Sequence, residues 1–298
     1  MGKHVGGQAV IEGVMMRNGE KLATAIRKDG TIKVKKENLN PISKRYKFLG
    51  WPFMRGVVSL VEMMYTGTKA LMWSASEAGE EDEQLSNSQI TLTIIVSFFF
   101  AIALFVGLPY ILTYLLGISE QNNPVLFNLI DGLIKLIILV SYIYLIGLMP
   151  DIRKVFQYHG AEHKTIHTYE RNRELNVRNV KPFPTAHSRC GTSFLMIVIL
   201  IGVFIFSFIP LIAQAIYPIY TLHPVARYVI LFAARIMLLP VVAGISYEWL
   251  KLTPMISTRS WLYWLNYPGM WVQRLTTREP TDDQIEVAIA ALNAVTEK

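Results

Sequence analysis

The residues best suited to chemistry lie between Tyr158 and Glu170, in the run Tyr-His-Gly-Ala-Glu-His-Lys-Thr-Ile-His-Thr-Tyr-Glu. At 100° per residue on a helix, His159, Glu162, His163, His167 and Glu170 share a stripe about 140° wide. Further on, His187-Ser-Arg-Cys190 carries another histidine and the single cysteine of the chain. His159-Gly-Ala-Glu162-His163 has the His-x-x-Glu-His spacing of inverted zinc peptidases. Residues four apart lie one turn apart, so both imidazoles can reach one ion. Zinc accepts neutral imidazole, carboxylate and thiolate, and a catalytic site keeps one position open for water. The reading is therefore a divalent metal, zinc before others, on His159 and His163. Glu170, His187 or Cys190 completes the shell, and Glu162 is the base for a water whose pKa falls to about 7 on zinc.

Other readings of the same residues stay open. His159, His163, His187 and Cys190 can close a tetrahedral structural site, with His167 as a neighbour or a spare. Cys190 can act as a nucleophile with His187 or His163 as its base, without metal. The bland reading is a solvated polar helix face. The second, distant glutamate ligand of the peptidases has no counterpart here, so the spacing does not imply a protease.

These residues need a scaffold. The 298 residues are 52% hydrophobic and only 17% charged, against about 25% in soluble domains. The composition suits a mainly α-helical, polytopic membrane protein. Four long apolar stretches support that: residues 90–117, 125–149, 194–217 and 225–250. Each is long enough to cross about 30 Å of hydrocarbon. Asp131 and Lys135 stand one turn apart in the second stretch, and Arg235 is the costly charge of the fourth. Asp131 is its expected partner.

Before the spans, residues 1–50 read as a small β-rich module. Leu22–Lys28 and Thr31–Lys36, joined by Asp29-Gly30, make a hairpin pattern. Glu12 sits among glycines in the preceding segment, as a functional carboxylate or an ordinary turn residue. Residues 51–76 suggest an interfacial amphipathic helix, and residues 77–89 an acidic linker. The final segment, 251–298, begins with aromatics suited to the headgroup layer and ends in a helix that Thr281 would cap. Gly2 to Asn18 lacks the apolar core of a secretory signal.

Lysine and arginine concentrate in residues 150–193 and are missing from the two short opposite connections. The positive-inside rule then puts this loop, its His/Glu/Cys cluster and both termini in the cytosol of a cell whose inner (cytoplasmic) membrane holds the protein. Its expected partners are the bilayer and, through the basic loop, anionic headgroups or a membrane-associated substrate. Acidic residues interleave with those bases and no nucleic-acid motif occurs, so no nucleic acid is expected. Three functions remain: a metal-dependent hydrolase acting near the membrane, a non-enzymatic scaffold or sensor with a structural His/Cys cluster, and a small-solute or ion transporter using Asp131, Arg235 and Glu248.

His4–Arg17, Arg55–Leu71, Tyr158–Glu170, His187–Leu195 and Leu275–Leu292 together resemble the YqhQ-like family of bacterial membrane proteins. The resemblance spans the chain, with five motifs in order. It implies an uncharacterised domain sometimes labelled a predicted metal-dependent enzyme, which adds a metal but no substrate, reaction or ligand set. Ser188 stands where the family's His-Pro-Arg-Cys motif has proline, and the side chains able to bind metal are kept.

Overall fold

The computed structural model describes residues 5–41, 46–79, 87–187, 190–253 and 260–297. Strands β1 (Val5–Val10), β2 (Gly13–Asn18), β3 (Lys21–Lys28) and β4 (Thr31–Asn38) form an antiparallel meander in that order. Lys28 pairs with Thr31 across Asp29 (φ 51°) and Gly30 (φ 75°). Both turn residues take the left-handed conformation that a two-residue hairpin requires.

Side chains alternate across the sheet with the period of two that a pleat imposes. Val14, Met16, Ala23 and Ala25 enter one core; Met15, Leu22 and Ile26 enter another. Helix α1 (Met54–Ala78) covers the second face through Ala70 and Trp73. The first face is covered by two helices from distant parts of the chain, α5 (Pro150–Glu170) and α10 (Asp282–Thr296). Helix α10 starts at the capping box expected from Thr281, closed by Gln284. Its Ile285, Val287, Ala288, Ala291, Leu292 and Val295 are all buried. The two ends of the chain therefore build one core.

Among the described residues, four helices are long and apolar enough to cross a membrane: Thr91–Leu115, Pro124–Ile146, Gly191–Ile216 and Pro224–Leu252. In the first, α2 (Asn87–Ile102) passes through a π-turn at Ala103–Gly107 into α3 (Leu108–Leu115). The others are α4 (Pro124–Ile146), α7 (Gly191–Ile216) and α8 (Pro224–Leu252). Between α5 and α7 lies the short α6 (Val177–Val180), and α9 (Tyr267–Thr276) precedes α10. The expected acidic linker falls mostly outside the described residues.

The charge pairing of the spans differs from expectation. Arg235 reaches Asn128 Oδ1 at 3.0 Å and Glu120 Oε1 at 3.5 Å. Asp131 instead pairs with Lys135, one turn along its own helix. Glu120 wins Arg235 because the connection before α4 folds back and buries it. At the other end of α8, Arg55 makes a two-pronged pair with Glu248 at 2.7 and 2.5 Å. Gly56 packs on Tyr247 there, leaving no room for a Cβ (2.7 Å). Helix α1 is thereby fixed to a membrane-type helix at its start and to the sheet along its second half.

Candidate metal centre

Helix α5 begins at Pro150, whose missing amide costs nothing in a first turn. Its stretch from Tyr158 to Thr168 is almost wholly buried. The polar stripe is therefore no solvated face: Glu162 is 4% exposed and His163 2%. Buried polar groups require partners, and the chain supplies them from both sides.

On one side lies the segment after α9. The carbonyl of Thr276 takes a hydrogen bond from His159 Nδ1 at 2.9 Å. Arg278 N–H donates to the Phe156 carbonyl at 2.9 Å. Gly160 lets this segment approach, since a Cβ there would stand 2.1 Å from the Arg278 carbonyl oxygen. On the other side, the loop after α5 doubles back along it. Thr185 O accepts from His163 Nδ1 at 2.5 Å, and Ala186 O from His167 Nε2 at 2.9 Å. A carbonyl can only accept, so these bonds place the ring protons. His159 and His163 carry theirs on Nδ1 and present Nε2 lone pairs inward, which is how second partners orient metal-binding imidazoles.

Those Nε2 atoms converge. His159 Nε2 is 3.2 Å from Cys190 Sγ, and His159, His163 and Cys190 offer ligand atoms all within 4.8 Å of one another. Glu162 Oε2 stands 3.6 Å from His163 Nε2 and 4.0 Å from His159 Nε2. Around a tetrahedral zinc, neighbouring ligand atoms stand about 3.4 Å (N, N) to 3.6 Å (N, S) apart. His159, His163 and Cys190 stand close enough together to hold one metal ion.

Glu162 is held from the sheet. The Gly7 amide donates to its carboxylate, and burial pushes its pKa up to about 8, against the pull of His159 and of Gly7. Gly7 must be glycine, since a Cβ there would lie 2.8 Å from Glu162 Cγ and Oε1. Burial holds His163 neutral, far below the usual imidazole range, and brings His187 down to about 4. Burial also pushes the Cys190 thiol up, with the Thr192 hydroxyl and amide opposing. That weakens the nucleophile reading, and the imidazole beside the thiol is His159, not His163 or His187. Cys190 caps α7, its sulfur accepting from Thr192 N–H at 3.4 Å.

The structure divides the ligands that the sequence puts in one shell. Glu170 and His187 lie apart from Cys190, grouped instead with His167. His187 is not grouped within 4.8 Å with His159, His163 and Cys190; its Nε2 stands 3.4 Å from Glu170 Oε2. Its main chain is clamped by Gln273, fully buried, whose Oε1 accepts from His187 N–H at 2.8 Å and whose Nε2 donates to His187 O at 2.9 Å. The Ser188 substitution lies outside the described residues.

Glu12 is a docking residue: its φ of 50° turns β1 into β2, and its carboxylate meets Lys154 at 3.0 Å and the Tyr158 hydroxyl at 3.5 Å. Sequence reasoning missed Gly7 and Gln273, and left His167 as a neighbour or a spare. The Gly6-Gly7 pair was the only signal for the first; a lone amide in an aromatic-rich segment signals nothing.

Beside the cluster opens a cavity of about 590 Å³, lined by Val5–Ala9 of β1, Met63 and Thr66 of α1, Phe156, and His159, Glu162, His163, His187 and Cys190. Gly191 and Thr192, the start of α7, form part of its wall.

A meander clasped by three helices, carried on four helices able to span a membrane, defines the class of the protein. A family described as a protein of unknown function (DUF1385) matches residues 51–298, and the chain belongs to it. It is 38% identical to "Uncharacterized protein YqhQ" of Bacillus subtilis (strain 168), over 97% of this chain and 91% of that relative. No solved structure matches it.

Proposed function

We propose that this protein is a metal-dependent hydrolase of the bacterial cytoplasmic membrane, with its centre and both termini in the cytosol and a substrate held at the membrane face. The observation that carries this reading is the convergence of His159 Nε2, His163 Nε2 and Cys190 Sγ beside Glu162, on the wall of a cavity that also touches the start of α7. Zinc is the metal these donors favour, and it would supply a water acidified to about pKa 7. A bound cation's charge would bring the buried Glu162 carboxyl back to its ionised form, and Glu162 would then take a proton from that water and hand it to the leaving group. The Gly7 amide orients the carboxylate, and the Thr276 and Thr185 carbonyls hold the two imidazoles in the ligand tautomer. The basic residues of the loop attract anionic headgroups.

A second reading has its own support. Glu162 Oε2 stands near ligand spacing from both imidazoles, so it can serve as a fourth ligand and close a structural site in a scaffold or sensor. Glu162→Gln separates the two. The hydrolase reading expects near-stoichiometric zinc in the variant by elemental mass spectrometry. It also expects a visible spectrum of the cobalt-loaded wild type that shifts with azide at an open position. Loss of the metal in Glu162→Gln, with no azide response in the wild type, would replace the hydrolase with the structural site.

A further inference from the structure

The loop that returns along α5 assembles a second donor set from side chains that the first does not use. His167, Glu170 and His187 offer ligand atoms all within 4.8 Å of one another. His167 gives its Nε2 proton to the Ala186 carbonyl, which leaves Nδ1 as the lone pair. His187 Nε2 and Glu170 Oε2 stand 3.4 Å apart, the spacing of neighbours around one ion. The supports are rigid. Gln273 fixes the His187 main chain on both sides, and Phe183 stacks on the His167 ring with centroids 6.1 Å apart. The guanidiniums of Arg171 and Arg173 lie over the Phe183 ring, 5.1 and 5.5 Å from its centre.

We propose that His167, Glu170 and His187 form a second, sulfur-free divalent-metal site beside the thiolate-containing one, so that the centre is binuclear. It deepens the reading of the first site as a metal centre, and its ligands are independent of that site. The rings of His163 and His187, with centroids 5.6 Å apart, form the wall between the two. Two imidazoles and a carboxylate make a three-ligand set that leaves positions open and suits zinc, manganese or ferrous iron. His187 also lines the cavity, so the second ion borders the space a substrate would occupy. The thiolate makes the first site the softer, and the second the more exchangeable.

Cobalt titration of the detergent-purified, metal-stripped full-length protein tests this. Two equivalents are expected: one brings a thiolate-to-cobalt charge-transfer band, the other adds only ligand-field intensity. Glu170→Gln alters a side chain that is 27% exposed and so leaves the fold intact, and His167→Asn keeps a polar ring-sized group. Each should lower the stoichiometry from two to one while keeping the charge-transfer band. Cys190→Ser should do the reverse, losing the band and keeping the second equivalent. Wild type saturating at one equivalent with the band, or two equivalents surviving in both Glu170→Gln and His167→Asn, would overturn the second site. One band-free equivalent in the wild type, lost in Glu170→Gln, would instead remove the first site and keep the second.

Discussion

Two adjacent glycines of β1 provide a matched experiment. An alanine Cβ at Gly7 would lie 2.7 Å from the Met15 carbonyl oxygen and 2.8 Å from Glu162 Cγ and Oε1, whereas at Gly6 it would meet nothing within 4 Å. Both backbones have ordinary φ, so strain plays no part. To restore contact at 3.4 Å, Glu162 or β2 must retreat by about 0.6–0.7 Å. The Met15 oxygen is backbone in the middle of a ladder, and Glu162 is buried, so neither yields cheaply. Overpacking of this kind costs about 1–3 kcal/mol. At about 2–4 °C per kcal/mol for a chain of this size, Gly7→Ala should lower the thermal midpoint in detergent by about 2–12 °C. Gly6→Ala should leave it unchanged or raise it slightly, since alanine loses less chain entropy on folding. The displacement also exceeds the roughly 0.5 Å within which a catalytic group must be held, so Gly7→Ala should disturb the spectrum of a cobalt-loaded centre and Gly6→Ala should not. Equal midpoints and equal spectra for the two variants would refute the claim that the sheet positions Glu162.

Gln273→Leu keeps the side-chain bulk but strips partners from the His187 amide and carbonyl and from Ser193. At about 1–3 kcal/mol for each of these three buried groups left unpaired, it should cost roughly 3–9 kcal/mol by chemical denaturation; a loss under 1 kcal/mol would mean the clamp is slack. Zinc loading at pH 7 should release about one proton from Cys190, whose thiol burial keeps protonated, because only the thiolate coordinates. Affinity then rises with pH until the thiol's own folded pKa is passed. Calorimetry in buffers of different ionisation enthalpy counts the protons, and Cys190→Ser should release fewer.

The local geometry of the cluster on α5 was legible in the chain. Four-residue spacing on one helix is enough to bring His159 over His163 with Glu162 between, because the helix alone sets those distances. Asp29-Gly30 announced its hairpin through the φ values a two-residue turn demands, and hydropathy marked four helices able to span a membrane. The partition of the remaining ligands was not legible. His187 and Cys190 are three residues apart, yet they belong to different donor groups. That follows from how the returning loop lies against α5, with Thr185 on His163, Ala186 on His167 and Cys190 on His159. The partner of Arg235 was likewise decided by a connection folding inward, which no periodicity records. Most of all, the core that buries the centre joins β1–β4 to α10 at the opposite end of the chain. Hydrophobic burial is non-directional and indifferent to sequence separation, so which apolar faces meet is settled only when the whole chain packs. The sequence by itself determined the cluster of imidazoles and carboxylates and its helix; the tertiary structure decided which of these side chains meet, in which tautomer, and beside which cavity.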